Sequence, residues 1–169
     1  MLTERLKDRW QARKIEPLFD RQWYLSEQLD VASAAVDPIY HYLRHGWREM
    51  RNPHPLFDVS FYLTSYSDVA RSEIEPLGHY IRYGWRELRN PNPLFDTAHY
   101  IAHCPNLGTS NSNPLQHYLG IGWIIGCDPS PRFNGNRYLR CYPEAMRSGR
   151  NPLVYFLTEG VRQGHLLEK

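Results

Sequence analysis

The sequence predicts an all-α fold, a solenoid-like tandem helical repeat of four helix pairs behind an N-terminal half-repeat. Three observations predict it. The same landmarks return every 38 residues with no insertion or deletion between them. Each copy holds two stretches with helical start and stop signals. No stretch alternates with period two for long enough to propose a strand. Self-similarity at a fixed period marks architectures whose units bury their faces only against neighbours.

Residues 1–16 read as the tail of a preceding copy, because Leu6 and Trp10 have the spacing of Leu43 and Trp47. They are expected to cap the array as a half-repeat. Repeats follow at 17–54, 55–92, 93–130 and 131–169, the last degenerate and expected as the C-terminal cap. A unit of 38 residues is too small to hold a core alone, so the whole chain is expected to form one cooperative domain.

Within each repeat the first helix is expected to start after Asp20, Asp58, Asp96 or Asn134, whose side chains can cap an orphan N–H. Its apolar positions, Tyr24, Leu25, Gln28/Tyr66/Tyr142 and Val31/Val69/Leu107, share a helical face. Pro105 and Pro143 are expected to break it in the third and fourth repeats only. The second helix begins at Pro38, Pro76, Pro114 and Pro152, preceded by Asp37, Glu75, Asn113 and Asn151, so three of four junctions read as N-cap followed by proline. Gly46, Gly84, Gly122 and Gly160 are expected to end it at positive φ. Asn52-Pro53, Asn90-Pro91 and Asp128-Pro129 then signal turns.

Composition narrows the function classes. A net charge of +2 is too mild to argue for nucleic acid or an acidic membrane surface. The charged start has no apolar core of a secretory signal, and no run of eighteen apolar residues exists to span a bilayer. Cys104, Cys127 and Cys141 are odd in number and absent from the first two repeats, so no disulfide framework and a cytoplasmic setting are expected. No phosphate-binding glycine loop, nucleophile elbow or His-Glu-x-x-His is present, so no catalytic residue and no cofactor are assigned.

Two recurring features are candidates for binding. His41, His79 and His117 return once per repeat, and Tyr155 takes their place in the fourth. Metal ligation is not expected, since helices stack at roughly 10 Å while zinc needs donors within about 2 Å; the rings are expected to pack on the neighbouring repeat or to face a ligand. Trp47, Arg48, Glu49 and Arg51 return as Trp85, Arg86, Glu87 and Arg89, then fade to Trp123, Ile124, Ile125 and Cys127. A flat aromatic beside fork-shaped donors suits hydroxylated ligands, sugars among them. The same residues also suit a stacking code, with Trp between repeats and Arg and Glu paired.

The unit Pro-x-Phe-Asp…Tyr-Leu…Asp-Val-Ala…Pro-Leu-x-His-Tyr…Gly-Trp-Arg-Glu-x-Arg-Asn-Pro resembles the tandem repeats appended to bacterial polysaccharide glycosyltransferases, rhamnan-synthesis-type and related, and found in some bacterial surface proteins. The likeness covers residues 17–164, closest over Phe19 to Pro53 and Phe57 to Pro91. It implies a setting in surface-glycan assembly and supplies no catalytic residue. The expected role is a non-catalytic binding or scaffold module that docks a partner protein or glycosyltransferase. Glycan binding through the repeated Trp, Arg, His and Tyr is the alternative, and membership of an enzyme with a multi-repeat site the weaker one.

Overall fold

The computed structural model describes residues 2–105, 107 and 112–167, and side chains from residue 6 onward within that set. The expected repeat spans 93–130 and 131–169 therefore include positions outside the described residues. All secondary structure among the described residues is helical, apart from three isolated bridges in tight turns. The chain falls into two compact units, Met1–Gly84 and Trp85–Lys169.

The first unit opens with α1 (Leu2–Ile15) and a 3₁₀ turn, Glu16–Leu18. It continues through α2 (Arg21–Glu27), α3 (Leu29–Ser33), α4 (Pro38–His41), α5 (Val59–Ser65), α6 (Ser67–Ser72) and α7 (Pro76–His79). The second unit carries α8 (Thr97–His103), α9 (Pro114–His117), α10 (Gly135–Cys141), α11 (Pro143–Arg147) and α12 (Pro152–Tyr155). Helices α4, α7, α9 and α12 each run on into a five-residue π turn that ends at Gly46, Gly84, Gly122 or Gly160.

The caps stand where the sequence places them. Asp20, Asp58, Asp96 and Asn134 each accept the N–H three residues on, at 2.7–2.9 Å. Asp37, Asn113 and Asn151 each accept two N–H groups with one oxygen. Glu75 completes the set against expectation, because its longer side chain spends one oxygen on Leu77 N–H and the other on Gly78 N–H, both at 2.7 Å. A Cβ at Gly78 would lie 2.6 Å from that second oxygen, so glycine is what admits the longer cap.

Three expectations are corrected. The first helix is broken in every repeat, with or without proline: Gln28 and Tyr66 take ψ of 76° and 80°, and Tyr142 takes 85°. The break falls on the residue to which the end of the same repeat is fastened, described below. The recurrent glycines are not at positive φ; that conformation comes four residues later, at Met50, Leu88, Gly126 and Gly164. Gly46, Gly84, Gly122 and Gly160 are needed for close approach instead, because a Cβ on any of them would come within 3.0 Å of the hydroxyl of Tyr24, Tyr62, Tyr100 or Tyr138. Finally, Cys104 and Cys127 form a disulfide across a Cα–Cα distance of 5.3 Å, which overturns the expectation of none and removes the redox argument for a cytoplasmic setting.

The core is built from one ring cluster per copy. Phe19, Tyr24 and Tyr42 meet at centroid distances of 5.2–6.2 Å, and Phe57, Tyr62 and Tyr80 repeat the arrangement. In the second unit Phe95, Tyr100 and Tyr118, then Phe133, Tyr138 and Phe156, do the same. Edge-to-face pairs of this kind add about 0.5–1.5 kcal/mol each beyond the area they bury.

Candidate functional site

The recurrent histidines turn inward on their own repeat, not towards a neighbour. Hydrogen bonds join Tyr24 Oη to His41 Nδ1 at 3.0 Å, Tyr62 Oη to His79 Nδ1 at 3.0 Å and Tyr100 Oη to His117 Nδ1 at 2.8 Å. Each pair satisfies a phenol whose ring is buried. Burial pushes Tyr24 up to about 12 and lowers His41, so both stay neutral. The fourth repeat has Tyr155 in the histidine's place, and His165 supplies the missing nitrogen, at 2.8 Å from Tyr138 Oη. No group of three or more metal-ligating side chains occurs among the described residues.

The Trp-Arg-Glu block divides between interior and surface. Trp47 and Trp85 are buried, at 7% and 8% exposure, and Trp47 Nε1–H donates to Leu43 O at 3.2 Å. Arg48 and Arg86 lie over those rings at 4.2 Å with their outer faces in solvent. Glu49 accepts from Arg51 and Glu87 from Arg89, each at 2.6 Å. Arg51 reaches further, donating to Gln28 Oε1 at 2.9 Å and to Asp30 at 2.8 Å.

Arg51 thereby shows what that register position does. Twenty-three residues separate it from Gln28, and the same separation joins Cys127 to Cys104. In the fourth repeat His165 stacks on Tyr142 at 3.7 Å and 9°. A hydrogen bond, a disulfide and a ring stack all fasten the end of a repeat to the break in its own first helix. Sequence reasoning missed this latch because three unlike residue types carry it; the signal was the fixed separation.

Two surfaces remain for partners. In the first unit a groove of about 860 Å³ runs between α1 and the second helices of the first two copies. Trp10 and Tyr83, 53% and 44% exposed, stand on it beside Lys14, Arg48 and Arg82. Its floor holds Ile15 and Leu43, both buried. Glu75 lines it too, with burial of its carboxyl pushing the pKa up to about 7. In the second unit Ile121, Ile124 and Ile125 are 51–63% exposed. Sequence reasoning assigned neither surface, since α1 lies outside the repeat and the isoleucines read as decay of the pattern.

No described helix is long and apolar enough to cross a membrane. Compared with protein families, curated proteins and solved structures, the chain matches none.

Proposed function

We propose that this chain is a non-catalytic helical-repeat binding module, a solenoid-like stack that docks a partner protein, in the surface-polysaccharide setting that its repeat resembles. One observation carries the reading. Ile121, Ile124 and Ile125 stand half-exposed together on the last turns of the third repeat, where the first copy has His45, Arg48 and Glu49 and the second Tyr83, Arg86 and Glu87. Three branched apolar side chains within five residues form a patch of the kind that marks protein interfaces. The partner of choice is a glycosyltransferase or another component of glycan assembly.

Glycan binding along the recurrent Trp and Arg has less support, because Trp47 and Trp85 are buried and present only Arg48 and Arg86 outward. The disulfide between Cys104 and Cys127 suits oxidising surroundings, so a cytoplasmic setting would apply to the reduced chain.

The test gives the third copy the surface of the first. Ile124→Arg/Ile125→Glu should fold as the parent does and lose a glycan-assembly protein that the parent captures from a bacterial extract. Equal capture by both, or capture of no such protein by the parent, overturns the reading.

A further inference from the structure

The groove in the first unit uses none of the residues on which the docking reading rests. Each of its walls pairs a cation with a ring. Lys14 Nζ lies 3.2 Å from the centroid of Trp10 on α1, and the Arg82 guanidinium lies 4.9 Å from that of Tyr83 in the turn after α7. Both cations line one cavity, and desolvation, then the charge of Arg82, lowers the pKa of Lys14. Two like charges held near each other invite an anion between them. The acids nearby are engaged elsewhere: Asp8 takes two bonds from Arg44, at 2.6 and 3.1 Å, and Glu75 caps α7. Exposed indole and phenol faces beside the cations fit the C–H face of a sugar ring. The volume of about 860 Å³ falls in the upper part of the ~300–1,000 Å³ range of ligand sites, enough for several sugar units.

We infer that this groove binds an anionic sugar, with its carboxylate or phosphate between Lys14 and Arg82 and its ring against Trp10 and Tyr83. The experiment is calorimetric titration of the full chain with tetragalacturonate, glucose 6-phosphate and neutral maltotetraose. One or both of the anionic sugars should bind, weakening as salt rises, and maltotetraose should not; which of the two binds separates the carboxylate from the phosphate source. Lys14→Gln/Arg82→Gln should weaken binding roughly tenfold or more, the scale of losing charge-assisted hydrogen bonds. Trp10→Ala should weaken it as well while leaving the melting temperature unchanged, because that ring is more than half exposed. Binding by neither anion at 10 mM (about the weakest affinity worth calling a site), equal binding of maltotetraose, or unchanged binding by the double variant would overturn the assignment. So would displacement by an equal concentration of hexaglutamate, which would make the groove a general polyanion surface. Failure here leaves the isoleucine patch and its partner untouched, so the two readings fall separately.

Discussion

The ends of the first and third repeats solve one problem with different chemistry. Trp47-Arg48-Glu49-Met50-Arg51 closes the first copy, and Trp123-Ile124-Ile125-Gly126-Cys127 closes the third. Both place a tryptophan after the π turn and a fastening residue four positions on. The first fastens with a hydrogen-bonded arginine and keeps a charged outer face. The third fastens with a disulfide and exposes isoleucines. The inner landmarks belong to the fold, therefore, and the outer ones are left free to vary. A recurrent residue in this chain marks packing, and a departure from recurrence marks surface with another use.

The largest effect that would break this comparison concerns the tryptophans. Trp47→Ala should cost ~3–5 kcal/mol, as for other buried aromatics. Trp123→Ala should cost clearly less, because Trp123 is only half-buried. Urea unfolding of both variants checks this, and equal losses would show that the third copy leans on its tryptophan as heavily as the first.

The fastenings come next. Cys127→Ser opens the disulfide that spans 23 residues, and chain entropy puts the loss at about 3 kcal/mol. Arg51→Ala removes bonds to Gln28 and to the exposed Asp30, and solvent screening holds the loss to about 1 kcal/mol. A reducing agent should lower the stability of the parent by as much as Cys127→Ser does, and leave that variant unchanged.

The helical class, the caps and the proline starts were legible because they are local: each needs one side chain and the N–H groups two or three residues away. Asp20 and Asn151 announce themselves. The reason for Gly46 was not legible, since the hydroxyl that fills its Cβ space comes from Tyr24, on another helix. Nor was the partner of His41, nor the Cys104–Cys127 pair, for each depends on where the break in the first helix sends the chain. Of the candidate binding residues, the sequence singled out Arg48 and Arg86 on the surface together with Trp47 and Trp85, which turn out buried. It passed over Trp10, because the spacing to Leu6 suggested the place of Trp47, whereas α1 is one continuous helix with that ring exposed.

The turn between repeats sharpens the comparison through pH. His54 is buried and accepts the Leu56 N–H on Nδ1, while Asn92 and Ser130 do the same work in later copies with groups that do not titrate. Burial lowers His54 from 6.5 to about 4. Between those values the unfolded chain takes up a proton that the folded chain refuses, so stability falls on acidification by about 1.4 kcal/mol per pH unit. Glu75 acts in the opposite sense: its folded pKa of about 7 lies above the ordinary 4.5, so stability falls as pH rises across that window. His54→Asn should abolish the first slope and expose the second, leaving a protein that gains stability from pH 7 towards pH 5. A thermal melt series over that range decides it; continued loss of stability towards acid in the variant would place the titrating group elsewhere.

The smallest effect concerns the residue one position before the fastening. Met50 and Leu88 hold φ of 57° and 56°, where the later copies have Gly126 and Gly164 at 82° and 77°. A side chain in the left-handed region costs roughly 1–2 kcal/mol, which glycine does not bear. Glycine in turn gives the unfolded chain more freedom, offsetting part of that gain by about 0.4–1 kcal/mol. Leu88 is exposed, so little packing is lost with it. Leu88→Gly should therefore stabilise by a few tenths to about 1 kcal/mol, the difference of those two terms. Gly126→Leu should destabilise by about the same amount or more, since its ideal Cβ would sit 3.3 Å from the Asn136 amide nitrogen. Opposite signs in the two exchanges would show one backbone shape serving both copies; a loss in both would show that Leu88 makes a contact in the first copies that the later ones have given up.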